Sequence, residues 1–145
     1  MWWDEALATG IWAASWSKSI EGLTPQQAAW QPPSAPGVAG QRHSIWQIVL
    51  HMIFWREGWL RRAATGQKLT KEEIDAGNFP AVGEVSAAGW DQARKQFMDT
   101  QSRMSAALKD SSPKNDPLIW FLPHDCYHIG QINYIRAMLG LAAIE

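Results

Sequence analysis

Apolar positions recur at helical spacing in four long segments, and no stretch reads well with the period of two that a half-buried strand needs. The first segment runs from Trp3 to Glu21. Leu7, Ile11 and Ala14 form one stripe on it, and Trp12, Trp16 and Ile20 form another, so this helix is expected to be covered on two sides. In Thr24-Pro25-Gln26-Gln27, threonine at N-cap, proline at N1 and glutamine at N3 make a capping box that predicts a short helical turn. It stops before Gln31-Pro32-Pro33, because proline disfavours helix in the residue before it.

A Pro/Gly loop spans Pro32 to Arg42. The second long helix starts at Ser44, with Ser44-x-x-Gln47 as another capping box, and runs to about Ala64. Ile45, Ile48, Val49, Met52, Trp55 and Trp59 supply its apolar side. Arg61 and Arg62 suit its C-terminal dipole, and Gly66 is its stop. Lys68 to Val85 is a polar connection with one turn near Lys71 to Asp75. The third helix begins near Ser86 and carries Trp90, Ala93, Phe97, Met104 and Leu108 at the helical period to about Lys109. Ser111 to Pro117 reads as a turn. The fourth helix ends near Gly140, and Pro123 marks its first turn or a kink. The pattern predicts an all-α fold, a four-helix bundle with long inter-helix loops, in a single domain over residues 1–145.

Composition narrows the function. Hydrophobic content is 46% and charged content 19%, enough for a substantial core. The net charge of −1 offers no basic excess for phosphate contacts, so nucleic acid is not an expected partner. One cysteine, Cys126, excludes an internal disulfide and a Cys-rich zinc site and suits a reducing compartment. The N-terminus carries acids at once and is no secretory signal, and the longest apolar stretch, Ser44 to Trp55, is too short to span a bilayer. A cytoplasmic protein with no membrane partner is expected. Ten tryptophans are spread over the chain, mainly as core or interface residues, with Trp55 the chief candidate for a pocket.

The chemistry concentrates in three histidines. His124 and His128 stand one helical turn apart, about 40° around the axis, and aim two imidazoles at one point. His51 on the second helix is placed to be a third ligand across the bundle core. Three neutral imidazoles with an open position make a catalytic rather than a closed structural metal site. Gln131 shares the face of His124, and Asp125 and Tyr127 flank it, each placed to orient an imidazole through its other nitrogen. Cys126 sits on the far side and reads as a small buried hydrophobe. On the second helix Gln47, His51, Trp55 and Gly58 share a stripe, with Gly58 leaving room for a small apolar pocket. His43 lies before the helix cap, off the stripe, and is expected to be exposed. An H-x-x-x-H pair alone arises by chance; three histidines on apolar, inward faces are the stronger signal.

The segment His124-Asp-Cys-Tyr-His128-Ile-Gly-Gln131-Ile resembles the last-helix motif of the DinB superfamily, H-x-x-x-H-x-G-Q. Ser44-Ile-Trp-Gln-Ile-Val-Leu-His51 is similar to that family's capped second helix, which ends in its first ligand. Thr24-Pro-x-Gln and Ala29-Trp30-x-Pro32 fit its lead-in. The resemblance covers nearly the whole chain in order and spacing. It implies a four-helix bundle, commonly a homodimer, with one divalent metal, zinc or nickel among others, on His51, His124 and His128. It also implies bacillithiol S-transferase-like chemistry with a low-molecular-weight thiol such as bacillithiol, mycothiol or glutathione. The chain lacks the extra C-terminal domain of the larger thiol-dependent isomerases, which speaks against that reaction.

Three functions follow as expectations. The first is a metal-dependent thiol S-transferase acting on a small apolar electrophile, with a hydrolase using the same site ranked below it because no glutamate shares the stripe; Glu57 lies about 120° from His51. The second is a non-enzymatic metal-binding stress or interaction protein, which a fourth ligand such as Asp75 or Glu84 would favour. The third is a metal-free helical dimer with packed histidines.

Overall fold

The computed structural model describes every residue except Trp12, Ala35, Gln41 and Glu145. Among the described residues the chain is all-helical, with seven α-helices, one 3-10 helix and no strand. The α-helices are α1 (Trp2–Ala8), α2 (Trp16–Ile20), α3 (Pro25–Ala29), α4 (Ile45–Thr65), α5 (Lys71–Gly77), α6 (Ala87–Lys109) and α7 (Phe121–Met138). The 3-10 helix, Pro113–Trp120, runs directly into α7.

The expected first helix is two helices. Gly10 adopts φ +79° and its N–H closes on the Glu5 carbonyl, which ends α1. Ser15 then caps α2, and the hydroxyls of Ser15 and Ser17 donate to the Leu7 carbonyl at 2.7 and 2.9 Å. The carbonyl freed at the break is thus satisfied by side chains, as a helix end requires. Of the second expected stripe, Trp16 and Ile20 are buried on α2, and Trp12 lies outside the described residues.

α4 forms where its caps dictate. The Gln47 N–H donates to Ser44 Oγ, the Ser44 N–H to Gln47 Oε1, and Gly66 at φ +77° closes the other end. α4 packs on α3, α6, α7 and the 3-10 helix, and α2 packs on α7. α1 is tied to α6 by a reciprocal pair: Trp3 Nε1 donates to the Gln101 carbonyl at 3.2 Å, and Gln101 Nε2 to the Trp3 carbonyl at 3.3 Å. Pro123 falls in the first turn of α7, where a proline is tolerated. The expected turn over Ser111 to Pro117 is largely the 3-10 helix, whose i→i+3 bonds repeat the bond of a β-turn.

Four tryptophans, Trp3, Trp16, Trp46 and Trp90, are core residues, whereas Trp2 and Trp120 are exposed. No helix among the described residues is long and apolar enough to cross a membrane.

The two helix-stopping glycines separate strain from crowding. A Cβ at Gly10 would collide with the Ala13 carbonyl, while one at Gly66 meets nothing. Gly66→Ala is expected to cost about 1 kcal/mol for its left-handed backbone alone, and Gly10→Ala distinctly more. Urea unfolding of both variants tests the order; an equal or smaller loss at Gly10 would contradict this account of the break.

Candidate metal centre

α4 and α7 bring the three histidines together. One ring nitrogen from each of His51, His124 and His128 lies within 4.8 Å of the others. Spacing on α7 aims His124 and His128 the same way, with ring centroids 4.5 Å apart, and His51 faces them from α4. His51 and His128 are buried, and His124 is half-buried.

Hydrogen bonds fix the tautomer of every ring. His51 Nδ1 lies 2.6 Å from the Asn78 backbone oxygen, His124 Nδ1 lies 2.7 Å from Asp125 Oδ1, and His128 Nδ1 lies 2.7 Å from Gln131 Oε1. All three partners are acceptors, so each ring donates from Nδ1 and turns an Nε2 lone pair inward. His51 Nε2 and His124 Nε2 stand 3.4 Å apart. Two lone pairs at that distance repel unless a cation lies between them. Two nitrogens bound to one tetrahedral zinc stand about 3.3 Å apart, given a Zn–N bond of about 2.0–2.1 Å. The donor set, its protonation and its spacing fit a divalent ion. Burial holds the His51 pKa down to about 4 from an ordinary 6.5, although the Asn78 carbonyl favours the charged form. Burial also lowers that of His128, against the pull of Gln131. These two imidazoles are therefore neutral at pH 7, as ligands must be.

The residues expected around the histidines divide. Asp125, fully buried, bonds His124 with one oxygen and Arg56 with the other. Gln131 bonds His128 and donates from Nε2 to the Tyr127 hydroxyl, and Tyr127, itself exposed, also meets the His128 ring edge to face with centroids 5.2 Å apart. Trp55 lies beside His51, and its Nε1 donates to Asn78 Oδ1 at 2.8 Å. Gln47 makes no hydrogen bond to a histidine; its amide serves the helix cap and bonds Gln31 and the Pro80 carbonyl. The space expected beyond Gly58 is filled by Leu69. His43 is half-buried rather than exposed, because Phe79 inserts between it and His51 with ring centroids 3.7 and 4.0 Å away.

Asp75 pairs with Lys71 and Glu84 is exposed, so neither joins the cluster; among the described residues three histidines are the whole group. Glu57 is engaged by Arg103. Cys126 is half-buried and outside the cluster, and burial pushes its thiol pKa up.

Three features escaped the sequence reading. Asn78 and Phe79 reach the site from a connection with no helical register to extrapolate. Trp59, Trp120 and Phe121 join Trp55, His51 and His124 around a cavity of about 560 Å³. Arg56 is fully buried, its Nε 2.8 Å from Asp125 Oδ2 and its guanidinium 4.3 Å from the Phe97 ring. An arginine in the middle of α4, away from the dipole-favoured C-terminal end that Arg61 and Arg62 occupy, was a signal that it has a buried partner.

Fold and site together define an all-helical protein with a tautomer-locked three-histidine cluster open on one side to an aromatic cavity. The sequence model of the DinB superfamily matches residues 12–132, most of the chain, and the chain belongs to that superfamily. No curated protein and no solved structure matches it significantly.

Two predictions follow from this geometry. Asp125→Ala is expected to lower stability by about 3–5 kcal/mol, because Arg56 is left charged and buried. Gln131→Ala should weaken metal binding about 10–100-fold with little loss of stability, since only the orientation of His128 is lost. Urea unfolding and zinc titration measure the two effects, and the pattern fails if Gln131→Ala binds zinc normally.

The depressed His51 pKa also sets a pH dependence. Below about 6.5 the unfolded state takes up a proton that folded His51 refuses until about pH 4. Metal-free protein should therefore be fully stabilised above pH 6.5 and lose on the order of 2–3 kcal/mol by pH 4.5 through this residue. In His51→Gln the same pH change should cost less. Identical losses in the two proteins would show that His51 is not the group responsible.

Proposed function

We propose that this chain is a divalent-metal protein with His51, His124 and His128 as ligands, and that it catalyses transfer of a low-molecular-weight thiol to a small electrophile. The observation that carries the reading is the pair of inward Nε2 atoms 3.4 Å apart, each deprived of its proton by a partner on the other ring nitrogen. The chemistry a divalent ion supplies in such a site is to lower the pKa of a thiol at its open position. Zinc and nickel both suit imidazole donors.

The chain's own residues do the rest. Asn78, Asp125 and Gln131 orient the rings and keep Nε2 free. The tryptophan cavity opens onto His51 and His124 and gives an electrophile a water-poor approach. In the transfer a carbon–sulfur bond forms, the leaving group departs with its electron pair, and the thiol proton goes to solvent. A hydrolase is less well supported, because Asp125 is committed to Arg56 and His124 and Glu57 to Arg103, which leaves neither carboxylate free as a base. A purely structural ion is less well supported too, because such sites use four protein ligands.

The same reading takes the fold as one domain, a four-helix bundle in which α1 and α2 together fill the place of one helix beside α4, α6 and α7. It takes the chain as a cytoplasmic homodimer. Exposed Trp2 on α1 and exposed Tyr127, Tyr134 and Met138 along one face of α7 support an association surface.

The first test is metal content by mass spectrometry, wild type beside His124→Ala. About one ion per chain in the wild type, lost in the variant, is expected. No metal in either, with no thermal shift on adding zinc or nickel, would sink the proposal. With metal established, glutathione and bacillithiol are assayed against an alkyl halide, and no conjugation above the His124→Ala background would remove the transferase assignment.

A further inference from the structure

The cavity beside the imidazoles is selective enough in composition to indicate what fits it. Its walls are Trp55, Trp59, Trp120 and Phe121, and His51 and His124 form its floor. No carboxylate, ammonium or guanidinium lines it. A charged body entering it would give up water and find no counter-charge in the lining; the Arg62 guanidinium is stacked on the Trp59 ring, outside that lining. Its volume, about 560 Å³, is that of a small-molecule site. The walls are also held in place: Trp55 is tied through its indole N–H to Asn78, and Trp59 and Phe121 meet edge to face with centroids 6.1 Å apart. Trp120 is 72% exposed, so a large apolar ring is left in water beside an apolar hollow.

We propose that this cavity binds a neutral, ring-bearing small molecule, its flat body among Trp55, Trp59, Trp120 and Phe121 and one end toward His51 and His124. That this end is the reacting end rests on the transferase reading above; the selection of a neutral ring does not. A cationic body finds no carboxylate beside the rings and gives up more hydration on entry than a neutral one. An anionic body finds no basic side chain in the lining.

The test uses metal-free protein and three probes that share one ring system: 2-naphthalenemethanol, 2-naphthoate and (2-naphthylmethyl)trimethylammonium. In calorimetric titrations the alcohol is expected to bind at least about tenfold more tightly than either ion. Trp59→Ala should weaken the alcohol by about tenfold. Trp120→Ala, at an exposed position, keeps the test open if the other variant fails to fold. Equal affinities, a preference for either ion, or unchanged binding in both variants overturns the assignment. So does a dimer that Trp120→Ala dissociates and that binds no probe, because a second copy would then occupy the cavity. None of the probes carries a thiol, so the test is separate from the metal reading. Alcohol binding by a protein that takes up neither zinc nor nickel when they are added refutes the transferase and leaves the cavity assignment standing; about one zinc per chain with no probe bound does the reverse.

Discussion

The arrangement depends first on one ion pair that water does not reach. Arg56 on α4 and Asp125 on α7 are both fully buried, and their charges compensate only each other. The guanidinium is further enclosed by Trp3, Trp16 and Phe97, and its Nη1 reaches Thr100 and the Phe97 carbonyl on α6. Such a pair contributes little net stability compared with an apolar pair of the same volume, but it tolerates almost no misalignment. It thereby sets how α4, α6 and α7 stand against one another. Because Asp125 also holds His124, the register of the helices and the aim of an imidazole are set by the same carboxylate.

The remaining imidazoles are held by weaker and more local means. His128 depends on Gln131 one turn away on its own helix, so it is oriented as soon as α7 forms. His51 depends on Asn78, which arrives from the connection after α5. α5 is fastened by Arg61 to Glu73, and the connection after it by Gln47 to the Pro80 carbonyl and by Phe79 between two histidine rings. One imidazole is thus aimed by the core, one by its own helix and one by a strap.

How much of this was legible in the sequence follows from the range of the interactions. The caps of α3 and α4, the stop at Gly66 and the pairing of His124 with His128 are encoded within a few residues, and the reading placed them. Asp125 and Gln131 could be named as partners because α7 fixes their directions. The break at Gly10 was missed because apolar spacing continues across it, although Thr9-Gly10 followed by Ser15 has the form of a stop and a new cap. Gln47 was named because it shares a stripe with His51; the hydrogen bonds of its amide go to the helix cap, Gln31 and the Pro80 carbonyl. Asn78, Phe79 and Trp120 come from segments with no period, so only the folded chain brings them to the histidines.

Cys126 bears on the protein's own survival. A protein that handles electrophiles risks being alkylated by them, and a reactive thiol is the usual point of attack. This chain has a single cysteine. Burial and the nearby Asp125 carboxylate keep it protonated, and it lies outside the histidine cluster. Under the transferase reading, reactive thiolate then enters only with the cosubstrate, and self-inactivation at cysteine is suppressed first by the burial of Cys126, with the carboxylate that aims His124 adding to it.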